Sequence, residues 1–231
     1  YFDEPCEFLY HIYDMNLKEY RHIIWDFNGT LLDDSWLCAE VVDQMLDRRG
    51  KTPLGLETYR RLFDLPLEKF YTRIGFDLAS ESFEAVATEF INAYDARRRE
   101  CSLQAGAQQA LEDFQRAGLK QSVLSAYELP RLESALKSLA ITGYFETFIG
   151  MEHHRGGSKA HLGKEFMKNL KNHPAEVLFI GDTIHDYEVA SQMQVDCVLV
   201  AQGHHTQDRL RTTGAKVFDS LEEILDLEAA D

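Results

Sequence analysis

Five polar side chains stand where apolar runs stop, and their types suit chemistry on a phosphorylated molecule. Asp26 follows Ile23-Ile24-Trp25, and Ser125 closes "LKQSVLS". Lys159 lies in "GGSKAH", and Asp182 and Asp186 lie in "FIGDTIHD". A carboxylate placed straight after a buried strand must be solvated, paired or metal-bound, because a lone buried charge is too costly. Carboxylates meeting in one cleft repel each other unless a cation joins them. Oxygen ligands of this kind favour Mg²⁺, which keeps some waters and leaves room for a phosphate. A serine hydroxyl, backbone N–H groups and a lysine can hold phosphoryl oxygens. An aspartate against a metal-bound phosphate can attack phosphorus and form an aspartyl-phosphate.

This chemistry requires the five residues to converge, so the elements that carry them decide the matter. Short apolar runs predict strands at 22–26, 119–125, 147–150, 177–180, 197–200 and 216–218. Helical spacing falls between them. Ala107, Ala110, Leu111 and Phe114 repeat at i, i+3, i+4 and i+7, and Leu132, Ala135, Leu136 and Leu139 do the same. Further helices are marked by Leu162, Phe166 and Leu170, and by Val189, Ala190 and Met193. Ser220 and Glu223 read as a capping box for a last helix. The alternation predicts an α/β fold with a doubly wound parallel sheet. In such sheets ligands sit beyond the carboxyl ends of the strands, where the five residues are expected.

Between the first two strands the alternation lapses. Residues 36–100 read as successive helices, with Val41, Val42, Met45, Leu46, Phe83, Val86, Phe90 and Ile91 apolar and Pro53 and Pro66 as breaks. A crossover needs little more than a dozen residues. The expected division is therefore a lead-in at 1–20, an α/β core at 21–35 and 101–231, and a helical cap at 36–100. Arg60, Arg61, Tyr71 and Arg73 are the cap side chains expected to reach a ligand.

Composition narrows the partners. A formal net charge of −15 on 231 residues disfavours nucleic acid and anionic lipid, but not a small phosphorylated molecule in a local pocket. No apolar stretch approaches the ~20 residues that span a membrane, and "YFDEPCEFLY" lacks a signal peptide's basic and apolar regions. A cytoplasmic protein is expected. Cys6, Cys38, Cys101 and Cys197 are scattered, as suits reduced, packed thiols. His153, His154, His161, His204 and His205 match no common zinc spacing and are expected on surface loops. "GSKAHLGKE" is not a phosphate-binding P-loop, since Ser158 replaces its first glycine and Glu165 its hydroxyl residue.

Taken together, Asp26-x-Asn28-Gly29-Thr30, Ser125, Lys159 and Gly181-Asp182-x-x-x-Asp186 resemble the four motifs of the haloacid dehalogenase superfamily. The likeness runs from about residue 22 to 225, and the insertion at 36–100 falls where phosphoglycolate phosphatases and β-phosphoglucomutases carry a helical cap. The resemblance implies a Mg²⁺-dependent phosphatase acting on a small phosphorylated metabolite. Asp26 would be nucleophile and metal ligand, with the Asn28 carbonyl and Asp182 as further ligands and Asp186 as a direct or outer partner. Ser125 and Lys159 would grip phosphate beside Ala126, Gly29 would allow the bend after the strand, and Thr30 would brace the loop. A phosphosugar mutase or other phosphotransferase, or a binding protein without turnover, are the alternatives on the same fold.

Asn28 departs from the pattern. Phosphatases of this family usually have a second aspartate there, which protonates the leaving alcohol and then activates water. An amide has no proton to trade near neutral pH, and general acid–base catalysis contributes typically ~10²–10⁴-fold. The substrate can carry a good leaving group, as an acyl phosphate or anhydride does, or His185 or a cap residue can supply the proton. Otherwise the protein binds without turnover, or Asn28-Gly29 deamidates or is an engineered replacement.

Overall fold

The computed structural model describes residues 17–152 and 158–226. Most of the expected lead-in, Cys6, His153 and His154 lie outside the described residues. Six strands form one parallel sheet: β1 (His22–Trp25), β2 (Lys120–Glu128), β3 (Thr147–Met151), β4 (Val177–Gly181), β5 (Asp196–Val200) and β6 (Lys216–Phe218). Their spatial order is β3-β2-β1-β4-β5-β6, every neighbouring pair parallel. This is the doubly wound arrangement expected from the alternation. The order reverses at β1, which places a crevice outside the carboxyl ends of β1, β2 and β4.

The centre of the sheet is buried on both faces, which explains the unbroken apolarity of "HIIW" and "VLFIG". Side chains alternate across a strand. Ile23 and Trp25 enter the larger core with α5 (Ala107–Arg116) and α6 (Leu129–Ser138). Ile24 enters the smaller one with α7 (Ala160–Asn169) and α8 (Ile184–Met193). Each fully buried aliphatic side chain contributes roughly 1.5–3 kcal/mol. Two short helices, α9 (Gln207–Leu210) and α10 (Leu221–Asp226), flank β6.

The insertion is helical, as its pattern predicted: α1 (Ser35–Asp47), α2 (Gly55–Leu62), α3 (Leu67–Arg73) and α4 (Phe83–Arg97). Val41, Val42, Met45, Leu46, Val86 and Ile91 are all buried. Arg60 and Arg209 tie α2 to the core: Arg60 donates to the carbonyls of Ala201 and His205, and Arg209 to those of Arg60 and Phe63.

Two local expectations change. β2 does not stop at Ser125 but runs to Glu128, because the chain re-pairs with β3 after an irregularity between Leu124 and Glu128. Bulged ladders re-aim side chains next to sites, and Ser125 and Ala126 fall in this one. At α10, the Glu223 carboxylate accepts the Asp219 N–H at 2.7 Å, one residue earlier than the capping box predicted.

Candidate active site

β1 delivers Asp26 one residue past its last ladder position, with the Asp26 N–H still donating to the Ile180 carbonyl at 2.9 Å. β4 delivers Asp182 in the same way, and α8 begins at once. Thr183 and Asp186 cap that helix reciprocally: the Thr183 hydroxyl accepts the Asp186 N–H, and the Asp186 carboxylate accepts the Thr183 N–H. Lys159, at the start of α7, reaches across from the other side of β1. One carboxylate oxygen each from Asp26, Asp182 and Asp186 lies within 4.8 Å of the others, and all three residues are buried. The Lys159 ammonium pairs with Asp26, lies 2.7 Å from Asp186 and donates to the Leu124 carbonyl at 2.9 Å. Strand ends and helix starts thus bring together Asp26, Lys159, Asp182 and Asp186. Ser125 and Ala126 line the same cavity, and the Ser125 hydroxyl oxygen accepts the Tyr127 N–H at 3.1 Å.

The loop after β1 is held from several directions. Gly29 has φ +81°, and a Cβ there would overlap the Asp182 carboxylate and the His204 ring, so glycine alone fits. Thr30 donates to Asp182 at 2.8 Å. Gln104 donates to the Gly29 carbonyl at 3.0 Å.

Electrostatics set the chemistry. Burial pushes the Asp26 carboxyl well above its ordinary range, an effect that Lys159 opposes. Burial likewise raises Asp182 to about 6, opposed by His204. For Asp186 burial acts the same way, but the Lys159 ammonium and the Thr183 hydroxyl outweigh it and hold the carboxyl below its usual value. Lys159 is desolvated too, yet Asp186 and Asp26 raise it, so it stays charged. Lys159 serves Asp26 and Asp186, while Asp182 is held by Thr30 and the His204 N–H. The donor set, all hard oxygens with a surplus of negative charge, fits a divalent cation such as Mg²⁺. Asp26 has one oxygen beyond the one that Lys159 holds, and each Asp182 oxygen accepts a single bond, from Thr30 or the His204 N–H, which leaves lone pairs for a cation. Asp186 is the most engaged, with Lys159 on one oxygen and the Asp182–Thr183 turn on the other.

Asn28 does not stand alone. Its amide donates to Asp34 Oδ2 at 2.7 Å and to the Tyr94 hydroxyl at 3.0 Å. Tyr94 itself donates to Asp34 Oδ2 at 2.6 Å, and the Gly29 N–H donates to Oδ1 at 2.8 Å. An ionised carboxylate only accepts, which fixes the amide with its NH₂ towards Asp34. His204 Nε2 lies 3.3 Å from Asp34 Oδ1, and its Nδ1 lies 3.0 Å from the Tyr59 hydroxyl. Burial favours neutral imidazole, but the bond to Asp34 prevails and lifts His204 to about 9. Burial alone would raise Asp34; His204, Tyr94 and Asn28 bring it below its ordinary value.

Sequence reasoning missed this cluster. An aspartate just before a helix ordinarily caps it, yet the fully buried Asp34 side chain makes no cap bond to α1 and turns into the site. Sequence reasoning put His204 and His205 on the surface; both are buried, and the His204 N–H donates to Asp182 Oδ2 at 2.6 Å. The signal was available: both histidines follow β5 at the same sheet edge as Asp182. Gly203 sits so close to the Asp182 carboxylate that a side chain there would overlap it. His161 is exposed, as expected.

The chain from residue 23 to 200 matches the model of the family described as haloacid dehalogenase-like hydrolase. The chain belongs to that family. Among curated relatives, a phosphoglycolate phosphatase of Pseudomonas fluorescens is 24% identical over 213 residues, covering 89% of this chain and 78% of its own. An N-acetylmuramic acid 6-phosphate phosphatase of Pseudomonas putida is 25% identical over 205 residues, covering 85% and 90%. The fold is shared with a haloacid dehalogenase-like hydrolase of Streptococcus pneumoniae at TM-score 0.77 and 20% identity, covering 90% of this chain and 98% of that one. The resemblance drawn from four short motifs therefore holds for the family and the fold.

Proposed function

We propose that the protein is a Mg²⁺-dependent phosphatase acting on a small phosphorylated molecule, with Asp26 as nucleophile. One observation carries the reading: Asp26, Lys159, Asp182 and Asp186 meet at one rim of the sheet, and Asp26, Lys159 and Asp186 line the floor of a cavity whose far wall is the helical insertion. Phosphatases among the relatives support it.

Asp26, Asp182 and the Asn28 carbonyl would hold Mg²⁺, with Asp186 positioning the Asp182–Thr183 turn and Lys159. When bound, the ion neutralises these carboxylates and draws charge from the phosphoryl oxygens. Lys159 holds one Asp26 oxygen and leaves the other to attack phosphorus. Ser125 and the backbone at Ala126 grip phosphoryl oxygens, Thr30 fixes Asp182, and Gly29 lets the loop pass beneath. Residues 36–100 act as the cap that excludes water and selects the substrate. Unpaired cysteines among the described residues, the acidic surface, and the lack of any described helix long and apolar enough to cross a membrane support a cytoplasmic enzyme.

A second reading, a phospho-ligand-binding protein without turnover, is favoured by Asn28, whose amide is fixed by Asp34 and cannot act as an acid. Phosphate release from phosphorylated metabolites, with Mg²⁺ and with chelator, separates the two. Multiple turnover that chelator stops is expected. A beryllofluoride adduct at Asp26 with no release from any substrate would establish the binding protein instead.

A further inference from the structure

The phosphatase reading leaves the substrate open, and two independent features of the cavity narrow it. The first is its wall. Beyond the phosphoryl end, the insertion contributes Phe63, Leu65, Leu67, Phe70, Phe90 and Ile91. None of the three arginines expected to reach a ligand lines the cavity. Arg60 donates to the Ala201 and His205 carbonyls, Arg61 pairs with Glu57, and Arg73 donates to the Leu62 carbonyl and faces Asp64. Of those four candidates only Tyr71 faces inward. The polar groups in the wall are mostly committed to each other: Tyr59 to His204, Tyr94 to Asp34, Tyr127 to Asp95, and Glu128 to Arg131. Among the described residues the insertion offers the cavity no cation for a substrate carboxylate. It also has few free groups for a polyol, whose hydroxyls would be buried unpaired at a cost of about 1–3 kcal/mol each.

The second feature is Asn28. Its NH₂ is held by Asp34 and Tyr94, so Asn28 supplies no acid beside Asp26. His185, the other candidate donor, also lines the cavity, with Nδ1 3.4 Å from Glu188 and Nε2 without a hydrogen bond. An alkyl leaving group departs as an alkoxide whose conjugate acid is about as weak as water. A phenol has a pKa of about 10, as in tyrosine, and its anion leaves unaided far more readily.

We propose that the substrate is the phosphate monoester of a compact aromatic alcohol, an aryl phosphate whose ring occupies the pocket among Phe63, Leu67 and Phe90; this rests on the phosphatase reading above. Asp26 attacks phosphorus, the P–O(aryl) bond breaks, and the aryl oxide leaves with the electron pair. Water then attacks the aspartyl-phosphate, the P–O(Asp26) bond breaks, and Asp26 is restored. The proton from water ends on the phenol and the other product is hydrogen phosphate. An aromatic wall stacks on such a ring and needs no charge.

The experiment compares phenyl phosphate, cyclohexyl phosphate, 2-phosphoglycolate and glucose 6-phosphate with Mg²⁺, and the binding of phenylphosphonate against phosphonoacetate by calorimetry. Phenyl and cyclohexyl phosphate have nearly the same shape and differ in leaving group. The expected kcat/KM for phenyl phosphate exceeds that for cyclohexyl phosphate by about 10²–10⁴, the share a missing acid would supply. Phenylphosphonate is expected to bind at least about tenfold tighter than phosphonoacetate. Phe90→Arg should reverse that binding order, with Leu67→Arg as the second variant should the first not fold. Turnover of 2-phosphoglycolate or glucose 6-phosphate above phenyl phosphate, or equal turnover of the phenyl and cyclohexyl esters, overturns the aryl assignment while leaving the phosphatase standing. Absence of turnover of all four overturns both.

Discussion

The two ends of the cavity are built on opposite principles. At the sheet rim, buried charges are crowded together and each is held by a named partner: Lys159 between Asp26 and Asp186, Thr30 and the His204 N–H on Asp182. At the insertion the wall is aromatic and aliphatic, and the nearby arginines are bound elsewhere. Asn28 stands at the boundary. It shows that the position that usually carries an acid here belongs to a fixed hydrogen-bond network around Asp34. On the proposed function, the rim would accept many substrates that carry a phosphoryl group, and the insertion would select what that group is attached to.

The comparison breaks most completely at the rim. Asp26→Asn is expected to lower phosphate release by about 10⁴-fold or more while circular dichroism stays unchanged, because the amide can still accept a bond from Lys159. Comparable loss from a wall variant such as Leu67→Arg on every substrate would erase the distinction between the ends.

The boundary is sharpened by exchanging its two residues. Asn28→Asp alone places a carboxylate against Asp34 Oδ2, now 2.7 Å from the amide. One of the two must then hold a proton or move, at a cost of about 1–3 kcal/mol, read as a lower Tm. Asn28→Asp with Asp34→Asn restores a donor–acceptor pair and supplies an acid. Its turnover of cyclohexyl phosphate should rise by about 10²-fold, and that of phenyl phosphate by much less. Equal gains on both esters would mean that proton supply is not what limits the alkyl ester.

The network behind Asn28 gives a pH signature. His204 has its folded pKa raised from 6.5 to about 9. Its pairing with Asp34 therefore adds stability that is complete below about pH 6.5 and lost as pH rises through 9. The shift corresponds to about 3 kcal/mol. Denaturant unfolding at pH 6 and pH 9.5 should show this decline in the native chain and not in His204→Gln. The same decline in both proteins would assign it elsewhere.

The smallest effect concerns the metal. Burial raises Asp182 to about 6, so below that pH a cation must displace a proton to bind. Apparent Mg²⁺ affinity should weaken by up to about tenfold per pH unit below 6, measured by calorimetry between pH 5 and 7.5. Affinity flat across that range would remove Asp182 from the ligand set.

The same contrast explains what could be read from sequence. The rim was legible because each residue follows an apolar strand or opens a helix, and chain order alone brings such positions to one edge of a parallel sheet. β1 and β4 announce themselves as short continuous apolar runs, and Asp26 and Asp182 follow them. The Asp34–His204 pair was not legible. Asp34 sits at the start of α1, where an aspartate ordinarily caps, and only the turn imposed by Gly29 swings it inward. His204 bonds to it across 170 residues of chain, a contact that no local pattern encodes. The insertion was legible as helices but not as a wall, since helical spacing marks Phe90 and Ile91 as apolar without saying whether they face a core or a ligand. The arginines misled for a related reason: a cation near a site in sequence can spend its hydrogen bonds on backbone carbonyls, as Arg60 does.

A crystal structure with Mg²⁺ and phenylphosphonate tests the central claim most directly. The account places the ion between Asp26 and Asp182, the phosphonate against Ser125 and Lys159, and the ring among Phe63, Leu67 and Phe90. A ring lying outside those three side chains, or an ion that touches neither carboxylate, would contradict it.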